Sequence, residues 1–290
     1  VRFSYWPSAA ADFEAVQTRC LLAERAGWDG VWFSDHLMPS SGDPAAPVQE
    51  SFTTLAALAA TIPRLRLGTL VAGNTYRHPA LVAKMAASID RISGGRFVLG
   101  LGAAWQRDEH DRYGIAFPAT RERMSRLDEA CRVIRGLLDR ELTTFRGRHY
   151  ALRDALLSPK PAQARLPLLV GGGGERVLLR IVARHADEWN VFATPDVLRH
   201  KLEVLERHCE TAGRDSSQIR RSVVLDPPRE RRGDEALVRE TLEGYAALGV
   251  DEVVIRDSLL RALGPGLPDA LEAFMDLAAP YHATTELLRR

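Results

Sequence analysis

Eight short apolar runs, at residues 3–6, 30–33, 65–71, 97–101, 168–170, 188–192, 222–225 and 252–256, are separated along this chain by helix-length amphipathic segments. An apolar run of this length, bounded by turn residues, reads as a strand buried on both faces, and strands that alternate with helices form parallel sheets. Helices are marked as clearly. Residues 12–26 bring Phe13, Val16, Cys20 and Ala23 onto one face before Gly27, and residues 79–92 run from a first-turn proline to Gly94 and Gly95. Eight such units in 290 residues predict a closed (β/α)8 TIM barrel of the α/β class, and one domain over residues 1–290.

One segment breaks the rhythm. Residues 141–167 hold a β-like stretch around Thr143 to Tyr150, broken by Gly147, and then prolines at 159, 161 and 167. They predict an insertion between the fourth helix and the fifth strand, of the kind used as a lid or an interface. Residues 226–234, with two prolines and several arginines, predict a solvent-facing loop after the seventh strand.

Bulk composition narrows the partners. Net charge is +1 with both signs interspersed, so neither nucleic acid nor an anionic membrane is expected, and small molecules become the default ligands. Cys20, Cys131 and Cys209 are odd in number and far apart, which fits neither a disulfide framework nor a metal cluster. No run approaches the roughly 20 apolar residues that span a bilayer. A reducing cytoplasm is the expected setting.

In a parallel barrel the ligand site lies at the C-terminal ends of the strands. After the second run come Ser34, Asp35 and His36, a carboxylate beside an imidazole that can orient polar groups and exchange protons. After the third come Ala72, Gly73, Asn74, Thr75, Tyr76, Arg77 and His78, a set able to hydrogen-bond a polar heterocycle and to hold an anion. After the fourth, Gly100, Gly102 and two alanines offer a small-residue floor for a flat ring. After the fifth, Gly171, Gly172, Gly173 and Gly174 stand between a strand and a helix that carries Val177, Leu178, Ile181 and Val182. Backbone can approach a ligand closely there, and a helix N-terminus favours a phosphate.

Several chemistries lack their residues. None of the three lysines, Lys84, Lys160 and Lys201, lies at an expected strand end, which leaves a Schiff-base aldolase without a nucleophile. The first strand ends in Tyr5, Trp6 and Pro7 where a metallo-hydrolase would carry His-x-His. A G-x-S-x-G elbow is absent, and the glycine run lacks the Lys-Ser/Thr ending of a P-loop. Redox chemistry on a bound organic cofactor remains, with no metal.

Taken together, Ser34-Asp35-His36, the run from Leu67 to Val71 leading into Tyr76-Arg77-His78-Pro79, Ser93 to Gly102, Arg121-Glu122-Arg123, Lys160-Pro161, Gly171 to Arg176 and Ala186-Asp187-Glu188-Trp189 carry a resemblance. The chain resembles the bacterial-luciferase-like monooxygenases, in particular their F420-dependent oxidoreductase branch, over essentially its whole length. The resemblance implies a deazaflavin or flavin at the barrel mouth. Its phosphate would lie at Gly172, Gly173 and Gly174 with Arg176 nearby, and its ring against Leu70, Val71, Ala72 and Gly102, with Asn74 and Thr75 beside it. His36 corresponds to an imidazole beside the ring. An acidic group often follows the fourth strand in this branch; Trp105 takes that place here, which leaves Glu109 or Asp108 as substitutes. A non-prolyl cis peptide is implied near Leu70 and Val71, and Arg77, Arg107 and Arg176 would meet the anionic tail of F420.

The expected function is therefore F420-dependent hydride transfer to or from a small organic substrate by a homodimer, with His36, Asp35 and Glu109 as catalytic candidates. An FMN-dependent monooxygenase is the alternative within the fold. A non-catalytic flavin- or deazaflavin-binding barrel is the alternative from another class, and a phosphate-binding isomerase is a distant fourth.

Overall fold

The computed structural model describes residues 1–40, 42–264 and 266–282. Parallel strands β1 (Arg2–Trp6), β2 (Gly30–Phe33), β3 (Arg66–Thr69), β4 (Ala72–Gly73) and β5 (Phe97–Gly102) form one side of a single sheet. The hairpin strands β6 (Leu142–Arg146) and β7 (Ala151–Leu156) follow, and then β8 (Leu168–Gly171), β9 (Glu188–Phe192), β10 (Arg220–Leu225) and β11 (Glu252–Arg256) complete it. Around the sheet β1 pairs with β2 and β11, and β8 pairs with β5 and β9. Closure comes from β3 against β5, with Leu67 opposite Phe97 and Gly68 opposite Val98. The short β4 continues the third position and pairs with the end of β5, so the result is an eight-position parallel barrel, as the alternation predicts.

Strand limits follow the apolar runs closely, with one difference at the third. The sequence predicts one continuous strand over 65–71, whereas the structure interrupts it after Thr69, turns through a cis Leu70–Val71 peptide and resumes at Ala72. Helices α1 (Phe13–Arg25), α2 (Ser51–Thr61), α3 (Pro79–Ile92), α4 (Arg107–Tyr113) and α5 (Thr120–Asp139) pack outside the first half. Asp12 caps α1 by accepting from Ala15 N at 2.8 Å, and Gly27 lies beyond its end at φ +84°. Around the second half lie α6 (Leu178–His185), α7 (Pro195–Ala212), α8 (Glu235–Ala247), α9 (Asp257–Leu263) and α10 (Leu267–Ala278).

Strand pleating sorts the side chains into two cores. Phe3, Tyr5, Val31 and Phe33 point outward into the layer under the helices, while Trp32, Leu70, Val98, Leu169, Val224 and Val254 fill the barrel interior. The insertion is an antiparallel hairpin between α5 and β8, with Gly147 in its turn. Residues 226–234 hold a short 3-10 turn, tied down where Arg232 meets Asp226 at 2.8 Å. Among the described residues no helix is long and apolar enough to cross a membrane.

Candidate active site at the barrel mouth

A cavity of about 940 Å³ opens at the C-terminal ends of the strands. Its wall carries Trp6 from β1, Asp35 and His36 after β2, Leu70 and Val71 after β3, Gly102 to Trp105 at the end of β5, Gly171 to Gly174 from the last residue of β8 onward, and Arg256 closing β11. Its size and its mixed apolar wall suit a cofactor with a substrate beside it.

Close approach of backbone shapes the floor. A Cβ on Gly102 would lie 2.6 Å from Val71 Cγ2, and one on Gly171 would lie 2.7 Å from Val71 Cγ1, so glycine at both places is what lets Val71 stand in the cavity wall. Gly172 has φ +131°, a region L side chains rarely enter. Its N–H is already used, donating to Asn190 O at 2.9 Å. Gly173 and Gly174 N–H, by contrast, have no protein acceptor among the described residues. Two of the three glycines expected at a phosphate thus offer free donors just ahead of α6.

A lysine far in sequence from any strand end supports this loop from behind. Lys201, in the first half of α7, donates from Nζ to Gly173 O at 2.7 Å and to Glu175 at 2.9 Å. Nothing in the local sequence marks it, because its role depends on α7 packing under the loop that follows β8.

On the opposite wall His36 is held by a buried carboxylate. Its Nδ1 lies 3.0 Å from Glu109 Oε1, while Leu37 N donates to Glu109 Oε2 at 2.8 Å and the Tyr76 hydroxyl donates to Oε1. Burial would raise the Glu109 carboxyl, but hydrogen bonds from His36, Tyr76 and Leu37 outweigh it and hold it below the ordinary carboxylate range. Burial and then Glu109 push the Tyr76 phenol well up, so the hydroxyl stays protonated. An ionised carboxylate only accepts, so Nδ1 carries the proton and Nε2 is left free at the cavity, with no partner among the described residues. Tyr76 is fixed in turn by stacking on His110 at 4.8 Å. His110 donates from Nδ1 to Gln106 O at 2.6 Å, and its Nε2 accepts from Thr75 at 2.7 Å.

Other expected site residues are engaged by the protein itself or lie outside the cavity wall. Glu109 has a fully buried side chain and is absent from the cavity wall, so it orients His36 and has no surface from which to protonate a substrate. Asp35 is paired with Arg77 at 2.8 Å and accepts from Gly73 N at 3.0 Å, a structural clamp at the cavity edge. That clamp also consumes Arg77: burial pulls its guanidinium down, yet Asp35 and then Glu50 hold it above its ordinary value. Arg77 is therefore unavailable to an anionic tail. Ala72 lies in the outer core, Asn74 donates to the Tyr150 hydroxyl at 3.3 Å, and Thr75 serves His110. Arg176 is exposed outside the cavity wall, and Arg107 covers Phe117. The basic groups that do line the cavity are Arg256 and Arg261. Trp105 is 64% exposed and meets the His36 ring edge-on at 5.5 Å.

Comparison with known proteins places this geometry in context. Residues 1–256 match the model of the luciferase-like monooxygenase family. The chain is 36% identical over 224 residues to the F420-dependent glucose-6-phosphate dehydrogenase of Kineococcus radiotolerans, an alignment covering 76% of this chain and 63% of that relative. The chain thus spans less than two thirds of that relative's length. Its fold matches an F420-dependent secondary alcohol dehydrogenase in complex with an F420-acetone adduct, with a TM-score of 0.84 at 19% identity over 97% of this chain and 99% of that one. It also matches the coenzyme F420-dependent tetrahydromethanopterin reductase from Methanopyrus kandleri, with a TM-score of 0.80 at 18% identity over 98% and 99% of the two chains.

Proposed function

The chain belongs to the luciferase-like monooxygenase family, and from that membership we propose that it is an oxidoreductase using F420 at the barrel mouth to exchange hydride with a small organic substrate. The observation that carries the reading is one cavity joining a glycine cradle with free N–H groups to an imidazole whose outer nitrogen is unengaged. The residues present fit the cofactor. Gly173 and Gly174 would take the phosphate, and Val71 with Gly102 would flank the flat ring, where any larger side chain would fill the space.

When bound, F420 supplies a two-electron hydride donor or acceptor. The protein's own part is placement and proton handling. His36 Nε2 holds the proton that leaves or reaches the substrate, while Glu109 keeps the ring turned and Nδ1 protonated. Trp6, Phe192 and Trp105 put apolar surface around the opening and reduce water at the reacting groups. Arg256 and Arg261 are paired with Asp226 at 3.3 Å and Asp257 at 2.8 Å, but both stay partly exposed on one wall, where an anionic cofactor tail would have to exchange those partners.

Ultraviolet-visible titration with F420 and with FMN tests the reading. F420 is expected to bind more tightly, with an affinity that weakens as salt rises. Tighter FMN binding would move the chain to a flavin-dependent monooxygenase. Tight F420 binding without turnover of any reduced-cofactor assay substrate would favour a carrier. A homodimer in a reducing cytoplasm belongs to the same proposal; three unpaired buried cysteines agree with that compartment, and sedimentation velocity reads the assembly.

A further inference from the structure

Positive and negative charges nearly cancel over the whole chain, at a net +1, yet six of its 36 arginines line one cleft. The C-terminal half of α5, the first hairpin strand, the segment entering β8 and the end of α6 enclose a second cavity of about 510 Å³. It lies toward the end of the barrel where the strands begin, and it shares no lining residue with the mouth. Arg132, Arg135, Arg140, Arg146, Arg165 and Arg184 line it.

Only part of this charge is answered. Arg165 pairs with Asp139 at 3.3 Å and Asp187 at 2.9 Å, Arg135 reaches the same two carboxylates, and Asp128 is hydrogen-bonded to His185 at 3.1 Å. Six guanidiniums set against these three carboxylates and Asp154, which accepts from the lining Thr144 at 2.8 Å, leave an excess of two positive charges around one concavity. Burial, and after it the charge of Arg165, bring Arg135 down to about 10. The floor holds unmet polar groups as well. Thr143 is 4% exposed with no partner for Oγ1, and Arg135 Nε is buried without an acceptor.

Guanidiniums gathered in this way repel one another unless an anion lies between them, and their planar forks match phosphate and carboxylate oxygens. The geometry points to a binding site for a small polyanion carrying two or more phosphate or carboxylate groups, separate from the site at the mouth. A half-open cleft of this volume, with its one phenyl ring already covered, suits a compact ligand better than a nucleic-acid strand, which needs a continuing groove and free aromatic platforms. Phe145, the aromatic residue in this wall, is covered by the Arg132 guanidinium at 4.9 Å.

Calorimetric titration of the whole protein with inorganic tripolyphosphate tests the site. One saturable event is expected, weakening with salt and at least tenfold weaker in the double variant Arg132→Glu/Arg184→Glu. Both residues are exposed on helices. Should that variant fail to fold, Arg146→Ala on the hairpin is expected to lose roughly threefold on its own. Arg25→Glu, an exposed change on α1 that lines neither cavity, is expected to bind as wild type, and F420 titration at the mouth should be unaltered in every variant. Absence of saturable binding, an equal loss in Arg25→Glu, or a loss of F420 binding in the double variant would overturn the proposal. A single-stranded RNA oligomer that binds more tightly than tripolyphosphate and is released by the double variant would also overturn it, assigning the cleft to nucleic acid.

Discussion

The two ends of the barrel interior bury polar groups in opposite ways. At the base, Arg66 donates to Glu252 at 2.8 Å and to Glu188, Arg2 meets Glu252 at 3.2 Å, and Trp32 Nε1 donates to Glu252 at 2.6 Å. Two cations face two nearly inaccessible carboxylates, and burial of Glu252 is outweighed by Arg66 and Arg2, which hold its carboxyl low. Each carboxylate at the base is engaged by a cation. At the mouth, Glu109, His36 and Tyr76 are connected as tightly, but the chain of bonds ends on His36 Nε2, which faces the cavity. A closed network contributes a fixed shape, whereas a network with one free atom presents that atom, held still, to whatever enters.

The comparison breaks most visibly at the base. Glu252→Ala leaves Arg66, Arg2 and the Trp32 N–H without their shared acceptor, and a buried charge stripped of its partner costs about 3–5 kcal/mol. Denaturant unfolding is expected to show a loss of that order, with turnover per folded molecule retained. A loss below about 1 kcal/mol would mean that water reaches the base and the network is not sealed.

At the mouth the expected effect of losing His36 falls on rate and not on stability. His36→Ala removes the proton-holding atom and should lower turnover by about a hundredfold, within the usual range for a general acid or base, while unfolding shifts little. Glu109→Gln keeps the shape and should lower turnover about tenfold, or roughly 1.4 kcal/mol, by letting the imidazole turn. Its pH signature follows from sign. Because the folded state holds Glu109 below its ordinary value, its contribution to stability is full above about pH 4.3 and is lost as pH falls through the folded value. The difference in stability between wild type and Glu109→Gln should therefore shrink only on that acid limb; a difference that persists unchanged there would remove Glu109 from the network as an ionised partner.

Next in size is the glycine loop. A Cβ at Gly173 would sit 3.3 Å from Val191 Cγ2 and 3.4 Å from Lys201 Cε, close enough to demand small shifts but not to prevent folding. Gly173→Val should therefore fold and bind F420 at least about tenfold more weakly, roughly 1.4 kcal/mol. Unchanged affinity in equilibrium titration would take the phosphate away from this loop.

Much of this was legible beforehand, and the boundary of legibility has a physical cause. Strands Gly30–Phe33, Glu188–Phe192 and Glu252–Arg256 and helix Pro79–Ile92 coincide with their apolar patterns, because a strand buried on both faces writes its limits in hydrophobicity. The sequence can place His36 and the glycine run beside the cavity because a parallel barrel puts its strand ends at one face. The base network was not, since Arg66, Glu188 and Glu252 each stand at the start of a different strand and look like solvated flanks until the barrel closes. Arg77 misled for the same reason: a guanidinium beside a ligand loop reads as an anion site, and only tertiary packing reveals that Asp35 and Glu50 have taken it. The arginine cleft joins α5 to α6 across some fifty residues of chain, a distance over which periodicity carries no information.

Lys201 gives the smallest and sharpest test. It touches the cavity only through the back of the glycine loop, fixing Gly173 O and Glu175 while contributing no charge to the wall. Lys201→Met keeps the aliphatic stem and removes both hydrogen bonds, each worth about 0.5–1.5 kcal/mol in net terms. Part of that loss should appear as loosening of the loop, with F420 affinity falling about three- to fivefold, under 1 kcal/mol, and thermal stability nearly unchanged. Because Gly173→Val already blocks the same loop, the double variant should bind no more weakly than Gly173→Val alone, a non-additivity expected of residues in contact. Full additivity in the double-mutant cycle would show that Lys201 acts on the cofactor by a separate route, and the mouth would then depend on a charge behind its wall as much as on the backbone in front of it.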